Sequence, residues 1–207
     1  MTMINLNNLK NLIKSQNPQN LTTDDFIKIH KGFEGYIRRL LLIGLRINGV
    51  KYETSQNVIT MLFVRSNREL IKTTIKLITK GAKSLDDFET HNLDLKELLG
   101  LFFDFTTIYR NKIFHGIDEN INDVTILRHC YFIDKFLIEE FELTLNFLNY
   151  KSAFDKPSEW GATRTTSNDT IEQVINQLNL GKIDKKKPKD IVSVQNAIAR
   201  TKYNGQI

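Results

Sequence analysis

Apolar residues recur every three or four positions along most of this chain, which is the spacing of a helix with one buried face. The clearest example follows residues 22–25, TTDD, where a hydroxyl capping residue and acidic side chains favour a helix start. Its apolar positions are Phe26, Ile29, Phe33, Ile37, Leu40, Leu41, Gly44 and Ile47. Gly49 then stands where a helix commonly stops. The pattern predicts a long helix over residues 23–48.

The same spacing predicts further helices in the first 150 residues. They cover approximately residues 4–14, 54–80, 92–115 and 122–148. The chain has only ten glycines and three prolines, so few positions interrupt these segments. No run alternates between apolar and polar residues as a half-buried strand would. The expected fold is therefore all-α, an antiparallel bundle of four to five long helices.

The sequence changes in character after Tyr150. Residues 151–168 are rich in turn formers and hold the only tryptophan, Trp160. Two short helices are predicted beyond them, at about 169–179 and 190–201. We therefore expect a helical bundle over residues 1–150 and a smaller, basic C-terminal appendage with short helices over residues 151–207.

Most of the net charge of +5 lies in this appendage. Residues 1–150 hold 19 Lys and Arg against 18 Asp and Glu, and residues 151–207 hold 10 against 6, which gives +1 and +4. The basic residues cluster in the run KIDKKKPK at 182–189. The run includes Lys185, Lys186 and Lys187. It is either a solvated tail or a site that attracts a polyanion such as RNA, for which clustered positive charge suffices.

Cysteine usage and hydropathy exclude several kinds of protein. The single cysteine, Cys130, cannot form an internal disulfide, and the chain has no Cys/His spacing typical of a zinc site. No apolar run reaches the roughly 18–20 residues that span a bilayer, and the N-terminus lacks the features of a signal peptide. We therefore expect a cytoplasmic protein with no membrane association, no bound metal and no cofactor.

The most informative stretch is YRNKIFHG at residues 109–116. A helix buried on one face has no packing reason to place Arg110, Asn111 and His115 so close to its end. Asn111 and His115 are four residues apart and share a helix face, over which the long side chain of Arg110 can reach. Cations are also common in the last turn of a helix, so a purely structural role is the simpler interpretation.

These residue types also suit the cleavage of RNA. That reaction requires a base for the 2′-hydroxyl, an acid for the leaving 5′-oxygen and a fixed cation beside the phosphorane. Histidine titrates near neutral pH, and arginine carries a permanent planar fork that fits phosphate oxygens. No metal is needed for this route.

The motif resembles that of HEPN domains, whose signature is Arg-x4-His with a polar residue, often Asn, Asp or His, commonly after the arginine. The matching residues here are Arg110, Asn111 and His115, which end a long apolar helix and precede a helix that begins at a polar turn. The stretch FEGYIRRLL at residues 33–41 is similar to the family's first core helices. The resemblance covers roughly residues 20–150.

The resemblance implies a metal-independent endoribonuclease of the kind found among toxins and antiviral effectors. Carried over by position, Arg110 would bind and stabilise the scissile phosphate, His115 would transfer the proton, and Asn111 would orient the histidine or the phosphate. Because HEPN proteins usually act as dimers whose motifs meet in one cleft, we expect a homodimer with facing motifs. The other expected partners are RNA and an antitoxin or defence-system protein. Lys112, Arg38 and the lysines of the tail are expected to bind the RNA.

Other interpretations remain open. The chain is alternatively a non-catalytic helical module that binds RNA or a partner protein, or an unrelated helical bundle. In HEPN proteins paired with nucleotidyltransferase antitoxins, a tyrosine stands two residues after the histidine; Ile117 occupies that position here, so that form of regulation is not expected. We expect a surface hydrogen bond between His30 and Glu34. Trp160 either stacks on a base or holds the appendage against the bundle.

Overall fold

The structure, a computed structural model, describes residues 6–61, 66–79, 92–115, 123–155, 160 and 190–206. All regular elements within these ranges are helices, and no strand occurs among them. The predicted all-α class is therefore confirmed. None of the described helices is long and apolar enough to cross a bilayer.

The longest helix, α2, covers Thr23–Ile47 and follows the shorter α1, Leu6–Ser15. It agrees with the segment predicted from apolar spacing. At its start, the Asp25 N–H donates to Oγ1 of Thr22 at 3.2 Å, and the Thr22 N–H donates to the Asp25 carboxylate at 3.2 Å. Beyond its end, Gly49 has a φ of 84°, a left-handed conformation that glycine adopts without strain.

The segment predicted as one helix over residues 54–80 contains two helices. They are α3, Tyr52–Met61, and α4, Asn67–Ile78. Ser66 has an extended backbone with φ −65° and ψ 152°, and its hydroxyl oxygen accepts a hydrogen bond from the Glu69 N–H at 3.3 Å. Such a cap starts a new helix, so the continuous helix predicted here is corrected to two. The sequence SNRE carries the Ser-x-x-Glu signature of this start, which the apolar spacing concealed.

The segment predicted as one helix over residues 92–115 is continuous but changes its winding. It consists of α5, Leu93–Leu101, a π-helical segment, Phe102–Thr106, and α6, Thr107–Phe114. The Thr107 N–H donates to the carbonyl of Phe102, five residues back rather than four. The extra residue in this turn rotates the residues that follow by about 100° around the helix axis.

The remaining described helices are α7, Val124–Phe147, and α8, Ile191–Ile198. Both agree with the segments predicted over 122–148 and 190–201. The start of α8 is capped by the Asp190 carboxylate, which accepts a hydrogen bond from the Ser193 N–H at 2.8 Å. The other short helix predicted near the C-terminus, at 169–179, lies outside the described residues.

The chain divides into two compact units. Unit 1 comprises Met1–Phe33, Glu89–Phe141 and Lys185–Ile207, and unit 2 comprises Glu34–Phe88 and Glu142–Asp184. The two long helices, α2 and α7, contribute to both units. This division differs from the predicted boundary at residue 150, because the C-terminal residues pack within unit 1.

In unit 1, the C-terminal residues pack against α7. The ring of Tyr203 stacks on Phe136 with 4.1 Å between centroids, and its hydroxyl donates to Glu140 at 2.6 Å. Lys202 Nζ lies 2.6 Å from the same carboxylate. Because Tyr203 is buried, this part of the chain belongs to the hydrophobic core of unit 1.

In unit 2, α2 packs closely against α4 and against the chain that follows α7. A Cβ added at Gly44 would lie 2.8 Å from the Cβ of Leu77, so only glycine permits this approach. The Tyr36 hydroxyl donates to Glu142 at 2.6 Å. Trp160 is buried, with its ring centre 6.2 Å from that of Tyr150, which agrees with its predicted role in holding the segment after residue 150.

Candidate active site

The predicted motif lies at the end of α6, in unit 1. Asn111 and His115 are exposed, and Arg110 and Lys112 are partly exposed. No residue of α6 is buried, although the helix continues directly from the π-helical segment, which contributes buried side chains to the core. The buried apolar face therefore ends at the change in winding, and the polar residues of the motif lie at the surface.

Among its contacts, Arg110 touches Asn111 and Phe114 on its own helix. Its Nη1 donates to Oδ1 of Asn111 at 3.1 Å, and its Cζ lies 4.2 Å from the ring centre of Phe114. Lys31 Nζ, from α2, lies 5.4 Å from the same ring centre. Both distances are within the range of a cation–π interaction. Phe114 thus joins two cations at this end of α6, while 40 % of its own surface remains exposed.

Lys112 adds a third cation on the same helix. Its Nζ lies 5.2 Å from the ring centre of Tyr109, which in turn packs on Phe105 at 4.8 Å between centroids. The aromatic side chains of α6 therefore lie within cation–π distance of the basic groups. The exposed end of the helix carries clustered positive charge, which suits an anionic ligand.

His115 forms the end of α6. Its backbone has φ −97° and ψ 3°, and its N–H donates to the Asn111 carbonyl at 3.0 Å. This bridge conformation is sparsely populated and is common among active-site residues. The structure places the His115 backbone against Asn111 and leaves the imidazole exposed to solvent.

Of the predicted RNA-binding residues, Lys112 is the one that lies on α6 beside the motif. Arg38 lies on the part of α2 that belongs to unit 2. The lysines of the tail and Ile117 lie outside the described residues.

The prediction for His30 is corrected by the structure. His30 is fully buried in unit 1, and its Nδ1 lies 2.8 Å from Oδ2 of Asp134 on α7. Its ring stacks on Phe102 with 5.8 Å between centroids. The expected surface hydrogen bond to Glu34 is therefore wrong; the Glu34 carboxylate accepts a hydrogen bond from the side chain of Asn67 at 3.1 Å. His30 follows the apolar spacing of α2, which is the signal that its burial could have been predicted from.

The only cysteine lies in the same interior. Cys130 is fully buried on α7, one turn before Asp134. Burial, and secondly the charge of Asp134, raises the pKa of the Cys130 thiol well above its usual value. A thiol held protonated and away from solvent is neither a nucleophile nor a metal ligand.

Sequence reasoning missed two features next to the motif. Lys31 reaches Phe114 from another helix, and such a long-range contact has no local signature. The π-helical segment FFDFT has the composition of an ordinary buried helix, so its winding was not predictable from residue types. Among the described residues, no group of three or more His, Cys, Asp or Glu is arranged to hold a metal ion.

Comparison with known proteins gives no relative for this chain. No protein-family model, curated protein or solved structure matches it significantly.

Proposed function

We propose that this protein is a metal-independent endoribonuclease of HEPN type, acting as a toxin or antiviral defence effector in the cytoplasm. The observation that carries the proposal is the exposure of Asn111 and His115 beside a partly exposed Arg110, on a helix with no buried residue. A polymer as bulky as RNA reaches only groups placed at the surface. The π-helical segment directly before this helix adds support, since such segments are frequent at functional sites.

In the proposed mechanism, Arg110 binds the scissile phosphate through its planar fork and stabilises the charge that grows on the phosphorane. His115 removes the proton of the 2′-hydroxyl, whose oxygen attacks phosphorus while the bond to the 5′-oxygen breaks. Asn111, which accepts a hydrogen bond from Arg110, fixes the guanidinium relative to the phosphate. The products carry a 2′,3′-cyclic phosphate and a 5′-hydroxyl.

The leaving 5′-oxygen needs an acid as well, and one motif supplies a single histidine. The proposal therefore includes a homodimer in which two copies of residues 110–116 face each other. One copy of His115 then acts as base and the other as acid. Phe114 lies within this stretch and is 40 % exposed, so it is available to contact the second copy. An antitoxin or defence-system protein would regulate the enzyme by covering this face.

RNA binding without cleavage is the alternative. The three cations near the end of α6, Lys31, Arg110 and Lys112, would attract a phosphate backbone whether or not a bond is broken. The contacts of Arg110 with Asn111 and Phe114 would then serve only to order the helix end.

The decisive experiment incubates the purified protein with total RNA in the presence of EDTA, beside the His115→Ala variant and a DNA control. We expect cleavage of RNA alone, persistence in EDTA, 2′,3′-cyclic phosphate and 5′-hydroxyl ends, and loss of activity in the variant. Products with 5′-phosphate ends, or activity abolished by chelation, would exclude the mechanism. Binding without cleavage by the wild-type protein would favour the alternative.

A further inference from the structure

Lys31 reaches the candidate site of unit 1 from α2, a helix that carries none of the motif residues. Its Nζ lies 5.4 Å from the ring centre of Phe114, and the Cζ of Arg110 lies 4.2 Å from the same centre. The two cationic groups are therefore at most about 10 Å apart, the sum of these distances. This limit is about one Debye length at 0.1 M salt, so both charges act on the same short stretch of a nucleic acid strand.

The charge of Lys31 is not neutralised within the protein. Lys31 is exposed, and it forms no hydrogen bond or ion pair within the described part of the chain. Other lysines of unit 1 face carboxylates: Lys135 Nζ lies 3.9 Å from Glu139, and Lys202 Nζ lies 2.6 Å from Glu140. Because the ammonium group of Lys31 has no such partner to leave, its whole charge is available to a phosphate.

The faces of α6 place Lys31 beside Arg110. Arg110 and Phe114 are four residues apart and share a helix face, which is the face that Lys31 contacts. Lys112 is two residues from Arg110, about 200° around the helix, and its Nζ lies over the ring of Tyr109 instead. Of the two lysines near the motif, Lys31 is thus the one on the side of α6 that carries Arg110.

We propose that Lys31 binds the phosphate next to the scissile one, one nucleotide away along the same RNA strand. This inference rests on the proposed function, in which Arg110 holds the scissile phosphate. Successive phosphates of a strand are separated by one nucleotide, a spacing that lies within the limit set by the shared contact with Phe114. The substrate is then a strand with at least two phosphates, and a dinucleoside monophosphate lacks one of the contacts.

The two residue types suit these two tasks. The guanidinium of Arg110 can contact two oxygens of the reacting phosphate at once, whereas a phosphate that does not react needs only a point charge to hold the strand. A contact away from the reacting bond is equally strong in the ground state and the transition state. Lys31 should therefore affect KM and leave kcat nearly unchanged.

Binding to a strand that cannot be cleaved tests the contact without the chemistry. The probe is a single-stranded RNA of mixed sequence with 2′-O-methyl groups throughout, in which the attacking hydroxyl is blocked. In Lys31→Gln, the slope of log affinity against log salt should fall by about 0.7, the value for one phosphate contact on a single strand. Lys31→Arg keeps the charge and should keep the wild-type slope. A wild-type slope in Lys31→Gln would overturn the proposal.

Lys96→Gln is the matched control. Lys96 is an exposed residue of α5 in the same unit, fourteen residues before Arg110 on the continuous run of helix. At 1.5 Å per residue it lies roughly 20 Å from Arg110, about two Debye lengths at 0.1 M salt. The slope should therefore keep its wild-type value. An equal decrease in Lys96→Gln and Lys31→Gln would indicate a general effect of net charge and overturn the assignment.

Cleavage of short substrates tests where the contact lies. One substrate is a mixture of all dinucleoside monophosphates, with one phosphate each, and the other is a mixture of all trinucleoside diphosphates, with two. At 0.1 M salt the wild type should cleave the second mixture with a kcat/KM per bond about fivefold higher, as a slope of about 0.7 gives over a tenfold range of salt. Lys31→Gln should lose this advantage through KM and cleave the first mixture as the wild type does. An advantage that Lys31→Gln retains would contradict the proposal.

The two experiments separate a failure of this inference from a failure of the proposed function. RNA cleavage by the wild type, with an unchanged slope and KM in Lys31→Gln, would overturn the role of Lys31 and leave the endoribonuclease intact. A lower slope in Lys31→Gln, with no cleavage of any RNA by the wild type, would overturn the proposed function. Lys31 would then be a phosphate contact of an RNA-binding protein, and its place beside a scissile bond would fall.

Discussion

Two histidines of unit 1 lie in opposite surroundings. His30 is fully buried, 2.8 Å from Asp134 and stacked on Phe102, and its partner lies 104 residues away in the sequence. His115 is exposed at the end of α6, and its backbone N–H donates a hydrogen bond to the carbonyl of Asn111, four residues back.

The two histidines show that the same residue type has different requirements in the core and at the surface. A buried polar group must be hydrogen-bonded, so the pair of His30 and Asp134 links α2 to α7 and makes each helix depend on the other. The exposed imidazole of His115 needs no partner within the protein, because water can satisfy its nitrogens. Unit 1 therefore combines a buried polar link between two helices with a polar surface that is exposed to solvent.

The largest effect is expected from breaking the buried pair. Asp134→Ala should lower the free energy of unfolding by about 3–5 kcal/mol, because it leaves the buried imidazole without this partner. Urea denaturation followed by circular dichroism measures the loss. Asp134→Asn keeps an acceptor of similar size and should lose less. If Asp134→Ala costs under about 1 kcal/mol, the pair does not hold unit 1 together.

Substitution of Arg110 tests whether the exposed end of α6 takes part in RNA cleavage. Arg110→Ala should reduce the rate of RNA cleavage by about 10²- to 10³-fold, because a preorganised donor to the transition state is lost. Arg110→Lys should recover only part of this rate, since a point charge cannot contact two phosphate oxygens at once. Both variants should unfold within about 1 kcal/mol of the wild type, because Arg110 is partly exposed on a helix with no buried residue. Full activity in Arg110→Ala would remove this residue from the mechanism.

Glu140 lies between the buried pair and the exposed motif in its surroundings. Its carboxylate is buried, but its partners include an exposed lysine. Burial tends to raise its pKa, but hydrogen bonds from Lys202, Tyr203 and Asn92 outweigh burial, so the pKa of Glu140 lies below its usual 4.5. A carboxylate with a depressed pKa adds stability above the unfolded-state pKa and loses it as the pH falls through the folded-state value. This contribution should therefore be complete at neutral pH and decline below 4.5.

Glu140→Gln tests that contribution. The variant should be less stable than the wild type by about 1.5–3 kcal/mol at neutral pH, the usual loss of a charged hydrogen bond. The difference should shrink as the pH falls below 4.5, because the wild-type carboxylate then becomes protonated. Thermal unfolding of both proteins, at neutral pH and at pH values below 4.5, measures this difference in stability. A difference that does not change with pH would show that the charge of Glu140 is not what holds the C-terminal residues.

The basic run before α8 should affect RNA affinity but not folding. Replacing Lys185, Lys186 and Lys187 with glutamine should lower the slope of log affinity against log salt by roughly 2, at about 0.7 per phosphate contact on single-stranded RNA. Deleting residues 181–207 is not an equivalent test, because it also removes the buried Tyr203 from the core. An unchanged slope in the triple variant would identify the run as a solvated tail.

The sequence predicted the local features of the fold well. The apolar spacing of α2 and α7, the capping residues before α2 and the glycine after it are all encoded within a few neighbouring residues. The sequence also contained a signal for the break between α3 and α4, the Ser-x-x-Glu helix start at Ser66. The prediction missed it because the apolar spacing continues across this position.

Features that depend on distant residues could not be predicted. The partner of His30, the contact of Lys31 with Phe114 and the packing of Tyr203 on Phe136 each join residues that are far apart in the chain. For the candidate site, the sequence supplied the residue types and their spacing. The motif follows the π-helical segment before α6, whose composition does not distinguish it from an ordinary helix.

The smallest effect is expected for the stability of His115→Ala. The imidazole is exposed, and the hydrogen bond that ends α6 is donated by the backbone of His115, which alanine retains. The free energy of unfolding should therefore change by less than about 0.5 kcal/mol, as for most surface substitutions. Urea denaturation beside Asp134→Ala measures both regions under one condition. Equal losses in the two variants would mean that His115 also holds the fold together, and a loss of RNA cleavage in His115→Ala could then not be assigned to proton transfer.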